Sequence, residues 1–370
     1  MEQKIRLIDL CSGKPLYGLN EAATDDITLP RYLRITDIND NGNYVYQGAH
    51  VHCEDDVYKL KQDDIVFART GASVGKSYLY NEADGELAFA GFLIKFSIDP
   101  KKANSRFISY CCNTKEYWKW VEINCARSGQ PGINAEEYSS LSLPYFDFAQ
   151  KEQQRIAKIL AKWDEAIGLQ ERLIEKLEIQ KKGLMKKLLM PKKDWKIELL
   201  QNVVNRQKAT AVQIHNKGKY PIIDMEYYLN KKYINYTNDA GLFVDENDVI
   251  LLWDGAGAGT SIFGVKGMLC STFVKLVPTS ILNAGFLYYF LCYVKDKNNN
   301  LREGSGIPHM PKDFFKIQKI FLPKIDTQIS IYKSLSFVDK NINLQSQKLE
   351  LFKKQRKALM QLLLTGAVRV

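Results

Sequence analysis

Residues 153–189 read QQRIAKILAKWDEAIGLQERLIEKLEIQKKGLMKKLL, and residues 328–364 read QISIYKSLSFVDKNINLQSQKLELFKKQRKALMQLLL. The two stretches align without a gap at a constant offset of 175, with about 15 identities over 37 positions. In the first, Ile156, Leu160, Trp163, Ile167, Gln170, Ile174, Leu177, Lys181, Leu184 and Leu188 alternate spacings of four and three. In the second the same places hold Ile331, Leu335, Val338, Ile342, Gln345, Leu349, Phe352, Arg356, Leu359 and Leu363. This spacing is the apolar seam of a coiled coil, about five heptads long, with no proline inside either copy. The seam is broken by polar residues at the same two places in both copies, Gln170/Gln345 and Lys181/Arg356. Such breaks weaken a seam and fix its register. Pro191 stops the first helix and Gly366 the second. A helix of some 39 residues is ~58 Å long at ~1.5 Å per residue. The plain alternative is two ordinary core helices; the matched breaks favour a dedicated pair.

The segments before each helix repeat more faintly. Asp63–Tyr80 reads DDIVFARTGASVGKSYLY and Asn247–Gly264 reads NDVILLWDGAGAGTSIFG. At an offset of 184, Asp64 meets Asp248, Gly71 meets Gly255, Ala72 meets Ala256 and Gly75 meets Gly259. Each copy predicts an apolar strand, a glycine turn and a second strand. Further on, RSGQPGIN (127–134) and REGSGIPHM (302–310) predict loops, each ahead of a Leu-Pro pair, Leu143-Pro144 and Leu322-Pro323. The chain is therefore laid out as domain, long helix, domain, long helix, an internal pseudo-dimer of α+β class.

Little in the sequence supports catalysis. Thr70–Ser77 has the look of a phosphate-binding loop, but Thr70 stands where that loop needs glycine, and its repeat partner has no lysine. Tyr78-Leu79-Tyr80 follows, which predicts a strand and not the helix that would cradle a phosphate. A nucleotide-dependent enzyme using residues 70–77 is thus a weak alternative. Gly255-x-Gly257-x-Gly259 has the wrong spacing for a dinucleotide fingerprint. His50-x-His52-Cys53 is the sole His/Cys cluster, and nothing nearby completes a metal spacing. No catalytic residues, metal or cofactor are assigned to this chain.

Composition bounds the rest. The 370 residues are 45% hydrophobic and 25% charged, which suits two or three globular domains and excludes a mainly disordered chain. The longest apolar stretch, Ile281 to Val294, is too short to span a membrane and predicts a buried helix. The first ten residues, MEQKIRLIDL, lack a signal peptide's apolar run. Seven scattered cysteines, at 11, 53, 111, 112, 125, 270 and 292, form no CxxC pair and point to reduced thiols and a cytoplasmic location.

These residues carry a family resemblance. GLMKKLLMPKKDW (183–195) and QRKALMQLLLTGAVRV (355–370) resemble the two helical regions of the specificity (S) subunit of type I restriction–modification systems. ARTGASVGKSYLY and LLWDGAGAGTSIFG resemble the glycine turns of that family's two target recognition domains, and Arg31–Ile38 resembles another of their recurring stretches. The resemblance runs the length of the chain. It implies target recognition domains at 1–150 and 191–325 and helical spacer regions at 151–190 and 326–370. It further implies that the two helices pack antiparallel as a coiled coil and separate the recognition domains. Each domain would read one half of a split double-stranded DNA target. Two methyltransferase subunits, which carry S-adenosylmethionine, would dock on the chain, and a motor-nuclease subunit would complete the restriction enzyme. A ~58 Å rod matches about 17 base pairs at ~3.4 Å each, room for an unread spacer. Side chains that read bases enter the major groove from loops. The candidates are Arg34, Arg69, Thr70, Ser73, Lys76, Arg127 and Gln130 in the first domain, and Trp253, Asp254, Thr260, Lys266, Arg302 and His309 in the second. The competing reading is a coiled-coil scaffold or inhibitor without DNA reading.

The charge is unevenly placed. Of the net +10, residues 1–150 carry −5, 151–193 carry +6, 194–325 carry +4 and 326–370 carry +5. The helices hold the basic excess, for partner subunits or for the phosphates of an unread spacer, and any DNA face on the first domain must be a local patch.

Overall fold

A computed structural model describes residues 5–125, 131–143, 146–255, 257–295 and 309–370. The chain is α+β and divides into two compact units, Met1–Leu169 with Leu349–Val370, and Gln170–Lys348. Each unit is a globular part together with one half of each long helix.

The first unit contains β1 (Leu16–Tyr17), β2 (Arg31–Leu33), β3 (Asp64–Ala68), β4 (Ser77–Leu79), β5 (Leu87–Phe89), β6 (Leu93–Ser97), α1 (Ser105–Cys111), α2 (Lys115–Cys125) and α3 (Ala135–Ser139), and the start of α4 (Gln150–Leu189). Strands β1–β6–β3–β4 form an antiparallel sheet, and β2 pairs parallel with β5. All five residues of β3 are buried, because the sheet is covered on both faces. Alternation sends Ile65 and Phe67 to the helical side with Ile94, Phe96 and Phe107. It sends Val66 and Ala68 to the other side, against Leu33, Leu87 and Phe89.

The second unit takes the end of α4, then β7 (Lys196–Leu199), α5 (Leu200–Val203), β8 (Val204–Lys208), β9 (Tyr220–Ile223), α6 (Met225–Asn230), β10 (Tyr236–Thr237), β11 (Phe243–Val244), β12 (Val249–Leu252), β13 (Ser261–Ile262), β14 (Gly267–Leu269), β15 (Phe273–Pro278), α7 (Ala284–Tyr293), α8 (Phe314–Ile317), β16 (Lys319–Leu322) and the first part of α9 (Ile325–Leu364). Its main sheet, β13–β12–β15–β8, is antiparallel. A second sheet runs β10–β9–β14–β11, with β9 and β14 parallel. The plan is that of the first unit: β12 and β13 stand for β3 and β4, β15 for β6, and the β9/β14 pair for β2/β5. Within the stretch from Ile281 to Val294, Ala284–Tyr293 forms the mostly buried helix α7, capped by Asn283, while Ile281 lies outside it and is exposed.

Both long helices are 40 residues. Every seam position named above is buried or half-buried, Lys181 and Arg356 included. Heptad spacing on one side of a helix demands this outcome once a partner helix covers that side. The pairing is antiparallel: Trp163 meets Phe352 edge to face in the first unit, and Lys181 meets Asp339 in the second. At their ends the seams merge with the globular cores. In the first unit Ile156, Leu160, Leu363 and Leu364 join the cluster around Phe107 and Ile108. In the second, Met185, Leu189, Ile331 and Leu335 do the same around Phe286 and Leu287. A large apolar side chain buried in this way contributes about 1.5–3 kcal/mol.

Candidate nucleic-acid interface

The two glycine turns are built alike. In the first, the N–H of Gly75 donates to the carbonyl of Ala68 at 3.1 Å and the N–H of Ala68 to Lys76 at 2.8 Å. In the second, Gly259 donates to Leu252 and Leu252 to Thr260, both at 2.8 Å. Closing the strands this tightly needs left-handed backbone, with φ of +69° and +87° at Gly71 and Gly75, and +110° and +89° at Gly255 and Gly259. That requirement explains why glycine recurs at both places. After the first turn comes β4, not a helix, so Lys76 and Ser77 have no phosphate cradle behind them.

The described ends of the two Gly/Pro stretches, residues 131–134 and 309–310, lie against these turns. Ile133 N–H donates to Arg69 O at 2.9 Å and Gly71 N–H to Pro131 O at 3.2 Å. In the second unit Met310 N–H donates to Trp253 O at 3.0 Å, and Asp254 bridges His309. Two separate motifs of each half therefore meet at one edge. Arg127, Gln130 and Arg302 lie outside the described residues.

The remaining candidates are held in different ways. Arg69 lies over the Tyr17 ring at 4.9 Å, and its N–H donates to Phe92 O, whose side chain is 59% exposed. Thr70 bridges Gly132, and Ser73 O accepts from Lys76 N–H. The Lys76 ammonium is 2.7 Å from Asp40, and the hydrogen bond between them holds the Asp40 carboxyl below its usual range. Arg34 grips buried Asp37 through two bonds of 3.0 Å, which raises the guanidinium's affinity for its proton. Trp253 stacks on Phe315 at 6.0 Å, and the Arg206 guanidinium also lies over that ring. Thr260 faces the Tyr228 hydroxyl at 3.5 Å. Lys266 is exposed and belongs to a different surface, where its carbonyl accepts from Tyr233. The turn tips thus gather Arg69, Thr70 and Ser73 in the first unit and Trp253, Asp254 and His309 in the second. Arg34 and Lys76 are held by carboxylates.

His50 is nearly enclosed. Its ring nitrogens lie 2.7 Å from the Tyr46 hydroxyl and 2.7 Å from Leu29 O, while His52 is exposed. Among the described residues no group of three or more His, Cys, Asp or Glu side chains is placed to hold a metal. None of their helices is long and apolar enough to cross a membrane.

Each globular part is fastened to the helices by the same polar contacts. Gln153 Oε1 accepts the N–H of Asn104 at 2.8 Å, and Gln328 Oε1 accepts that of Asn283 at 2.8 Å. Tyr110 donates to Asp164 at 2.6 Å, and Tyr289 to Asp339 at 2.6 Å. The same carboxylates take the seam cations, Arg356 on Asp164 at 2.8 Å and Lys181 on Asp339 at 2.5 Å. Burial, and then donation to the carboxylate, push both tyrosine hydroxyls well above their ordinary range.

A profile of the type I restriction modification DNA specificity domain matches residues 7–179 and again 192–353. The chain belongs to this specificity family. The type I restriction enzyme MjaVIII specificity subunit of Methanocaldococcus jannaschii is 33% identical over 183 residues, which is 47% of this chain and 43% of that protein. The aligned region thus spans less than half of that relative. Two solved structures share the fold across nearly the whole chain. The S subunit of a type I restriction–modification system from M. genitalium has a TM-score of 0.65 at 15% identity and covers 98% of this chain and 95% of its own. A chain described under complex assembly and conformational transition of the type I R-M system has a TM-score of 0.59 at 13% identity and covers 98% and 97%.

Sequence reading of this specificity-family chain missed the tyrosine anchors. A signal was present: Asn104, Phe107 and Tyr110 repeat as Asn283, Phe286 and Tyr289, with the same spacing of three. The asparagines cap α1 and α7, and both phenylalanines are fully buried.

Proposed function

We propose that this chain is the DNA-reading subunit of a type I restriction–modification complex. Each globular unit reads one half of a bipartite duplex target. The long helices set the spacing and, with the domain flanks, seat two methyltransferase subunits; a motor-nuclease subunit completes the restriction enzyme. The chain performs no chemistry of its own, and S-adenosylmethionine belongs to the methyltransferase. The observation that carries the reading is the duplication. Both halves of a family match carry a glycine turn of the same build, packed by residues 131–134 in one and 309–310 in the other, and each half is fastened to the helices through matched Gln and Tyr–Asp contacts. A protein that reads two half-sites needs two such copies.

The test is reconstitution with a methyltransferase subunit, followed by sequencing of methylated bases. The expected result is one motif with two specified halves and an unread spacer. Exchange of residues 1–145 for those of a relative should change one half only, and insertion of one heptad in a helix should change the spacer alone. Methylation without a bipartite motif, or a change in both halves after the exchange, overturns the reading.

A further inference from the structure

The second unit holds an open groove of about 690 Å³ on its smaller sheet. One wall is the stacked pair Tyr227 and Tyr233, with ring centroids 4.6 Å apart. Tyr233 is fixed there because its hydroxyl donates to Lys266 O at 2.7 Å. The other wall is Tyr220 and Phe243, edge to face at 6.0 Å. Tyr233 and Phe243 are each 36% exposed, and both line the groove. Lys219 and Lys266 are exposed at the rim, and the Lys219 ammonium sits 4.9 Å from the Tyr220 centroid.

In the first unit a long side chain occupies the corresponding position. Both units make the same turn, where Leu93 N–H meets Ala90 O and Phe273 N–H meets Cys270 O. Counted from it through the parallel strand pairs, Pro221 stands where Arg31 stands in the first unit. The Arg31 side chain fills its position: it donates to Asp84 O at 2.6 Å and lies over the Tyr46 ring at 4.9 Å. Pro221 has no side chain of that reach, and Gly264, with φ +76° and nothing within 4 Å of a Cβ, leaves the space clear. Among the described residues, the position that Arg31 fills in the first unit is thus left open in the second.

We infer that this groove takes an unstacked DNA base, its ring against Tyr233 and Phe243 and its neighbouring phosphates on Lys219 and Lys266. Aromatic faces flanked by cations are the general means of holding an unpaired nucleotide: every base offers a π-face, and every nucleotide brings an anion. The two rim ammoniums outweigh the one lining carboxylate, Glu246, which is free to accept from an exocyclic amino group. The volume lies within the range of small-ligand pockets, roughly 300–1,000 Å³. The inference rests on the preceding reading for the identity of the polymer as DNA, and goes beyond it in assigning the second unit a grip on bases outside the stack.

Fluorescence anisotropy of the full-length chain with three labelled DNAs tests it: a short single strand, a duplex with a single-nucleotide bulge, and the fully paired duplex. The single strand or the bulged duplex should bind at least about fivefold more tightly than the paired duplex, and which of them does so tells a free strand from a base swung out of a helix. Tyr233→Ala and Phe243→Ala should each weaken that binding by about tenfold, while Tyr233→Phe, which keeps the ring and loses only its bond to Lys266 O, should weaken it by less. Lys219→Ala and Lys266→Ala should each lower the salt slope by about one. Equal binding of all three DNAs, or parental binding by Phe243→Ala, an exposed position whose loss leaves the core intact, overturns the inference. The motif methylated by the reconstituted complex is read in parallel. A preserved bipartite motif with unaltered strand binding in the variants condemns the groove alone, and absence of any motif condemns the DNA-reading proposal while the anisotropy series still decides the groove.

Discussion

Gln170 Nε2 donates to Gln345 Oε1 at 2.9 Å and to Gln345 O at 3.1 Å, so the two residues that interrupt the apolar seams answer one another across the helix pair. Gln170 is only 6% exposed, and both of its amide donations go to Gln345. A matched polar pair of this kind is worth little in net stability, because both groups were hydrated in the unfolded chain. It is costly to mismatch, which is how it fixes register. Gln345→Leu alone should lower stability by about 1–3 kcal/mol by leaving the buried Gln170 amide without its side-chain acceptor, and the double change Gln170→Leu with Gln345→Leu should recover most of that loss. Denaturant unfolding of the four proteins checks it; additive losses contradict it.

Asp164 serves two partners, Tyr110 and Arg356, as Asp339 serves Tyr289 and Lys181. Asp164→Ala should cost about 1–3 kcal/mol, more than either Tyr110→Phe or Arg356→Met, since it removes both contacts and leaves a buried hydroxyl unpaired, while the half-exposed ion pair itself adds little. In the Asp164→Ala background, Tyr110→Phe should cost almost nothing further. A double-mutant cycle by chemical unfolding reads the coupling directly.

The same tyrosines predict a pH response. Their hydroxyls ionise near 10 when unperturbed and well above that when folded. The folded state therefore holds their protons more tightly than the unfolded state does. That contribution is intact below about pH 10 and is lost as pH rises toward the folded values. The melting temperature should fall on the alkaline side, and Tyr110→Phe with Tyr289→Phe should flatten that fall. A parallel decline in both proteins would exclude these tyrosines as its cause.

Gly75→Ala should be among the most damaging single changes in the first unit. Its φ is +87°, and a Cβ there would lie 2.7 Å from Val121 Cγ1 and 2.9 Å from the Trp118 ring. Strain and overpacking together should cost about 2–5 kcal/mol, visible in thermal melts.

Lys76→Ala, by contrast, should change stability by no more than about 1 kcal/mol, because its partner Asp40 is fully exposed. Incubation with ATP or GTP should give no hydrolysis by the parent or the variant. Turnover abolished by Lys76→Ala would restore the nucleotide-enzyme alternative.

The helix pair was legible in the residues alone, because heptad spacing is a local property: the positions from Ile156 to Leu188 and from Ile331 to Leu363 share one face whatever else the chain does. The glycine turns were legible for a similar reason, since left-handed backbone at Gly71, Gly75, Gly255 and Gly259 is a local demand. Tertiary structure alone decided the rest. It brought the 131–134 loop to Arg69 and Thr70, and His309 and Met310 to Trp253 and Asp254, across tens of residues of chain. It set Arg34 against Asp37 and Lys76 against Asp40, and it opened beside Tyr233 a groove that Arg31 closes in the other half. A composition count cannot separate a cation held by a carboxylate from one facing solvent. The difference lies in distances of a few ångströms, which arise only when segments distant in sequence are packed together.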